Sequence, residues 1–177
     1  MAFEHQGPTC LLFSRQNLPF QERDQEMVAN ISRGGYILQD CADQPDLIMI
    51  ATGSEVALAM EGAKQLTANG QKVRVVSMPS VDTFLSQDAA WQESVLPQAV
   101  SARIAIEAAA TDGWYRFIGC RGKVIGIDRF GASAPAKDVY KECGLTVEHI
   151  VAVAKDVLLQ QVAGNQEKKV HDYSSCN

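Results

Sequence analysis

Polar residues follow the apolar runs of this chain, where a parallel sheet would hold its ligands. Gly53, Ser54 and Glu55 come directly after one such run. Ligands of open α/β sheets bind beyond the carboxyl ends of the strands, and free N–H groups at a helix start attract anions. Ser54 and Ser133 are therefore candidates for a small-anion or nucleotide site, with plain helix capping as the alternative explanation. Similar positions are taken by Pro79, Ser80, Asp82, Glu107 and residues 128–133.

No standard motif accompanies these positions: the chain has no Gly-x-Gly-x-x-Gly, no Walker loop and no His-x-x-His. Glu107 and Asp128 would form an acid–base pair, or accept backbone N–H groups from nearby helix starts. A thiol–imidazole pair of Cys120 or Cys143 with His149 has no supporting local signature. An independent small hydrolase or thiol enzyme that uses Glu107, Asp128 or Cys120 is one alternative function.

Arg15 directly follows the apolar run at residues 9–14. A guanidinium at the carboxyl end of a strand can bind a phosphate through two parallel hydrogen bonds. A surface arginine at the start of a linker explains the same pattern equally well. The aromatic cluster of Trp114, Tyr115 and Phe117 would stack on a ring-shaped ligand or, as is commoner, pack in a core or domain interface.

The elements that would position these residues repeat one strand–turn–helix unit. Residues 47–51 are continuously apolar, which is typical of a strand covered on both faces. Thr52 stands three residues before Glu55 and predicts a capping box. The helix that follows has an apolar stripe at helical spacing, formed by Val56, Met60, Ala63 and Leu66. Such a unit predicts a parallel α/β sheet.

The rest of the chain predicts a three-layer α/β sandwich around a five-stranded mixed sheet. Four strands are parallel. The strand at residues 36–40 is an antiparallel edge strand, since only about six residues separate it from the next strand and a parallel crossover needs more. Residues 9–14 predict a further buried strand without a partner. Other strands are predicted at 72–77, 102–107 and 123–128, and helices near 25–31, 88–95, 111–118, 133–144 and from Thr146.

Charge and cysteine usage restrict the partners. A net charge of −5 gives no basic face for nucleic acid, and no apolar run reaches the roughly 20 residues that span a bilayer. The five cysteines are odd in number and lack Cys-x-x-Cys spacing. This pattern favours free thiols in a reducing cytosol.

Seven segments, in order over roughly residues 7–158, resemble landmarks of the transketolase family. The first, Gly-Pro-Thr-Cys-Leu-Leu-Phe-Ser-Arg-Gln-Asn-Leu at 7–18, resembles the end of its pyrimidine-binding domain, and the others its C-terminal domain. They are Arg-Gly-Gly-Tyr-Ile-Leu (33–38), Ile-Ala-Thr-Gly-Ser-Glu-Val (50–56), Val-Val-Ser-Met-Pro-Ser (75–80), Glu-Ser-Val-Leu-Pro (93–97), Gly-Trp-Tyr (113–115) and Phe-Gly-Ala-Ser-Ala-Pro (130–135).

The resemblance implies a cytoplasmic, homodimeric enzyme that moves a two-carbon ketol unit between sugar phosphates with thiamine diphosphate and Mg²⁺. In that family an N-terminal Gly-Asp-Gly…Asn motif holds the cofactor, and a glutamate of the middle domain activates it. This chain lacks Gly-Asp-Gly, so we expect no cofactor, metal or catalytic residue in it. Arg15, in Ser-Arg-Gln, matches the arginine that contacts the substrate phosphate.

The resemblance also implies a division into four segments. Residues 1–17 would be the last strand of the pyrimidine-binding domain, 18–34 a linker, 35–162 the C-terminal domain and 163–177 a disordered tail. The C-terminal domain would act as a scaffold that supports the remaining domains and the dimer, and the isolated chain would be inactive.

Overall fold

The central strand of the sheet is β2 (Leu47–Ala51), whose five residues are all buried in the computed structural model. The structure describes residues 5–174, and only the backbone at Val162 and at 164–174. The strand order is β1-β3-β2-β4-β5. Only β1 is antiparallel, and it pairs with β3 at the edge. The other strands are β1 (Tyr36–Gln39), β3 (Val73–Ser77), β4 (Arg103–Ile106) and β5 (Lys123–Ile125).

Two helical layers cover the sheet because the apolar strands present side chains to both faces. The first layer is α2 (Glu55–Ala68) with α7 (Val147–Ser174), which pack on Met49 and Ile104. The second layer packs on Ile48 and Ile50. It consists of α3 (Val81–Leu85), α4 (Ala89–Val95), a 3₁₀ turn (Thr111–Trp114) and α5 (Tyr115–Ile118). The remaining helical elements are α1 (Gln25–Asn30), a second 3₁₀ turn (Ile31–Arg33) and α6 (Ala136–Glu142).

The predicted sandwich, with four parallel strands and one antiparallel edge strand, is confirmed. The aromatic cluster is also placed as its commoner explanation expects, since Trp114 and Phe117 lie in the second core while Tyr115 is exposed. Short α3 was not predicted; the side chain of Ser80 caps it by accepting from Thr83 N–H.

The predicted buried strand at residues 9–14 is not formed. These residues are extended without a strand partner, and Leu12 and Phe13 are 91% and 84% exposed. The reason is physical: an apolar strand needs neighbouring strands for its N–H and C=O groups, and none of the described residues supplies one. Whether 1–17 belongs to a preceding domain stays a prediction, and residues 1–4 lie outside the described residues.

At the far end of the chain the backbone of α7 is helical through Ser174. The disordered tail expected at 163–177 stays a prediction. Residues 175–177 of that predicted tail lie outside the described residues. Across the described helices, none is both long and apolar enough to cross a bilayer.

Candidate functional site at the carboxyl edge of the sheet

The carboxyl ends of β2 and β4 form a topological switch point. These two strands are neighbours in the sheet. The chain leaves β2 into α2 on one face, whereas it leaves β4 towards α5 on the other face. A crevice opens where neighbouring connections diverge in this way, and it is the usual ligand position in such sheets.

Glu55, the first residue of α2, occupies this switch point. Its side chain is only 4% exposed. One carboxylate oxygen, Oε2, accepts the backbone N–H of Ala108 just beyond β4, at 3.1 Å. The other, Oε1, accepts the hydroxyls of Ser54 at 2.8 Å and Tyr140 at 2.5 Å. The carboxylate therefore bridges the ends of two strands that lie side by side.

The capping box predicted for Thr52 and Glu55 is wrong. The N-cap residue is Ser54, and its side chain accepts no backbone N–H of the first turn. Glu55 instead turns its carboxylate towards Ala108 and Tyr140. Three charge-assisted hydrogen bonds, two of them from donors in other segments, offer the carboxylate more than one bond to a local N–H would.

Tyr140 reaches the switch point from α6 and links it to the N-terminal segment. Its hydroxyl donates its only proton to Glu55 and lies 3.0 Å from Ser54 Oγ. The same oxygen accepts the side-chain N–H of Gln16 at 3.3 Å. Burial raises the pKa of the Tyr140 hydroxyl above its ordinary value, and the bond to Glu55 raises it further. The tyrosine is thus held in its neutral, proton-donating form.

This arrangement places a carboxylate of the protein where an anionic ligand of a switch point would lie. The hydroxyl of Ser54 is already engaged by Glu55 and Tyr140. Ser133 is exposed in the loop before α6. The predicted small-anion or nucleotide site at Ser54 and Ser133 is not tested by these contacts and stays a prediction.

Glu107 and Asp128 serve separate local contacts. Trp114 donates its indole N–H to Glu107 at 2.6 Å, and Thr111 donates both its N–H and its hydroxyl to Asp128 at 2.8 Å. These two bonds from Thr111 hold the pKa of the Asp128 carboxyl below its usual value. Asp128 matches the alternative in which a carboxylate accepts a backbone N–H at a nearby helix start, whereas Glu107 accepts a side-chain indole N–H instead.

Among the described residues, no hydrogen bond joins Cys120 or Cys143 to His149. Cys120 is exposed, and the Cys143 sulfur accepts a guanidinium N–H of Arg129 at 3.7 Å. His149 places Nδ1 2.6 Å from the carbonyl oxygen of Gly144. Within residues 5–174, no group of three or more His, Cys, Asp or Glu residues is arranged to hold a metal ion.

Arg15 is exposed, and its neighbour Gln16 brings this segment to Tyr140. Local sequence patterns do not predict that contact, because Gln16 and Tyr140 are 124 positions apart. Tyr140 was missed for the same reason. Its only local sign is a position on a short amphipathic helix.

Comparison with known proteins gives a consistent family. The model of the "Transketolase-like TK C-terminal domain" matches residues 34–146. Transketolase 1 of Escherichia coli (strain K12) is 58% identical over 152 residues, which are 86% of this chain and 23% of that protein. Transketolase 2 of Aliivibrio fischeri is 59% identical over 152 residues, again 86% of this chain and 23% of that protein. The chain therefore spans about a quarter of the length of these curated relatives.

Solved structures are similar as well. A transketolase of Pichia stipitis in complex with sedoheptulose 7-phosphate is 36% identical and has a TM-score of 0.75, with 84% of this chain and 21% of that chain covered. Transketolase from Leishmania mexicana is 35% identical with a TM-score of 0.70, over 75% of this chain and 19% of that one.

Proposed function

This chain belongs to the transketolase C-terminal domain family, and from that premise we propose that it works as the C-terminal part of a transketolase. The whole enzyme would transfer a two-carbon ketol unit between sugar phosphates in the cytoplasm, using thiamine diphosphate and Mg²⁺. The observation that carries this proposal is the 58–59% identity over 152 residues to transketolases about four times as long.

The switch point does not fit the diphosphate of the cofactor. A diphosphate at the switch point would meet the Glu55 carboxylate, which is buried and already saturated with donors. Two anions in one poorly solvated crevice repel each other strongly. We therefore assign thiamine diphosphate and Mg²⁺ to the remaining domains, and derive no step through them in this chain.

The domain's role in this proposal is to support its neighbours and the homodimer. Leu12 and Phe13 support it, because an exposed apolar segment of this kind is expected to pack against another part of the protein. Arg15 would bind the phosphate of the sugar substrate. Structures of Pichia stipitis transketolase in complex with xylulose 5-phosphate and with sedoheptulose 7-phosphate support this role.

A chimeric enzyme tests the proposal. This chain replaces the matching C-terminal part of E. coli transketolase 1, and ketol transfer between sugar phosphates is measured with thiamine diphosphate and Mg²⁺. We expect an active chimera, and no activity from this chain or from the truncated E. coli protein alone. A chimera that is folded and dimeric yet inactive would refute the proposal.

Calorimetric titration of thiamine diphosphate and Mg²⁺ into the 177-residue chain supplies a second readout. The chimera should bind the cofactor, and the isolated chain should not. Saturable binding of about one cofactor per isolated chain would show that the assignment to the other domains is wrong.

A further inference from the structure

We propose that Tyr140 is a positioning residue that holds Arg15 in place through Gln16, and so sets the affinity of the enzyme for phosphorylated sugars. The inference rests on the proposed function, since it takes Arg15 as the ligand of the substrate phosphate. It gives the C-terminal domain a part in substrate recognition that scaffolding alone would not.

A hydrogen bond connects residues 5–18, the segment that carries Arg15, to the rest of the described structure. Among the described residues, the bond from Gln16 to Tyr140 is the only hydrogen bond that joins residues 5–18 to the rest of the chain. Most side chains around it are exposed. Gln16 is the residue next to Arg15, so a restraint on Gln16 also restrains the backbone from which the guanidinium extends.

The acceptor in this contact is fixed by the protein core. Tyr140 has one proton, and it donates that proton to Glu55. Its oxygen therefore receives the amide N–H of Gln16 with a lone pair. Glu55 is buried and is itself held by Ala108 N–H, so the direction of that lone pair is set by α2 and the end of β4.

Each bond in the series polarises the next. Gln16 donates to Tyr140, and Tyr140 donates to a carboxylate, so the phenol oxygen is a better acceptor than that of a free tyrosine. A restrained Arg15 loses less conformational entropy when it binds a phosphate. Freeing it should therefore weaken the binding of phosphorylated sugars and leave the chemistry on the ketol unit unchanged.

The test uses the chimeric holoenzyme with an aldose phosphate and the matching unphosphorylated aldose as acceptors. Tyr140→Phe removes the acceptor oxygen, and Gln16→Leu removes the donor from an exposed segment without touching the folded core. Each should raise KM for the aldose phosphate by about fivefold, as the loss of one hydrogen bond predicts. kcat and the constants for the aldose should stay the same.

The double variant should raise KM for the aldose phosphate no more than either single variant does, because both changes remove the same bond between Gln16 and Tyr140. Tyr115→Phe is the matched control, since Tyr115 is 57% exposed and lies in the opposite layer. A merely structural role for Tyr140 would instead lower kcat with both acceptors, and Gln16→Leu would have no effect. Either result overturns the inference.

Arg15→Ala separates this inference from the proposed function. If Arg15→Ala weakens binding of the aldose phosphate while Tyr140→Phe and Gln16→Leu do not, only the positioning role is refuted. If Arg15→Ala itself leaves phosphate preference unchanged in an active chimera, the role of Arg15 fails and the inference fails with it.

Discussion

Replacing Glu55 with alanine should destabilise the chain by about 3–5 kcal/mol. Its buried carboxylate accepts three hydrogen bonds, from Tyr140, Ser54 and Ala108. A hydrogen bond to a charged group contributes about 1.5–3 kcal/mol. Ser54 and Tyr140 are half-buried and recover part of the loss from water, so the total stays below the sum of three such bonds.

Urea unfolding followed by circular dichroism measures this loss in the 177-residue chain. Glu61→Ala is the matched control, because Glu61 lies exposed on the same helix and should change the unfolding free energy by less than about 0.5 kcal/mol. A double-mutant cycle of Glu55→Ala with Tyr140→Phe should give a coupling of about 1–3 kcal/mol.

The capping-box interpretation makes a different prediction for the same variant. A local helix-start contact is worth about 1 kcal/mol and would not couple Glu55 to Tyr140, which lies 85 positions further along the chain. A loss for Glu55→Ala of about 1 kcal/mol or less, with no coupling to Tyr140→Phe, would refute the switch-point account.

Three further predictions test other parts of the structure. Gly34→Ala should destabilise the fold by more than about 2 kcal/mol in thermal unfolding, because φ of Gly34 is +84° and an added Cβ would lie 2.5 Å from backbone atoms. Gly53→Ala is the control: φ is +53°, the space around it is open, and the loss of stability should be only about 1 kcal/mol. Since the pKa of Tyr140 is raised, its contribution to the free energy of unfolding should be complete below about pH 10 and fall as pH rises further. Tyr140→Phe should therefore reduce the loss of unfolding free energy at alkaline pH. An unchanged alkaline loss in this variant would contradict the prediction. The pKa of Asp128 is lowered, so its stabilisation should be present above about pH 4 and disappear as pH falls below its folded value. Asp128→Asn should therefore unfold more easily than the original chain at pH 6 and equally at low pH, and equal stability at both would contradict this.

The fold was predictable where a short stretch of sequence is enough to indicate a buried strand or to limit how two strands can be connected. The run at 47–51 is apolar at every position, and only a strand covered on both faces needs that pattern. The antiparallel edge strand followed from the short connection to β2, a limit of chain length. Both signals are local, and both were confirmed by the sheet.

The site was not predictable because its contacts are distant in sequence. Glu55 has an ordinary role available within its own helix, and its actual partners are 53 and 85 positions away. Residues 9–14 fail for the complementary reason: their apolar pattern indicates burial, but burial also depends on a surface to pack against. Sequence periodicity describes one side of a contact and leaves the other open.

The strand order also bears on how the nascent chain assembles on the ribosome. β1 pairs with β3 and not with β2, with Tyr36 opposite Ser77. At usual translation speeds, the synthesis of the 41 residues from 37 through 77 takes roughly 2–8 s. During that interval the first strand has no native partner, and its apolar side chains are open to chaperones or to other nascent chains. Translation speed between β1 and β3 would therefore influence the yield of folded protein without any change in its sequence.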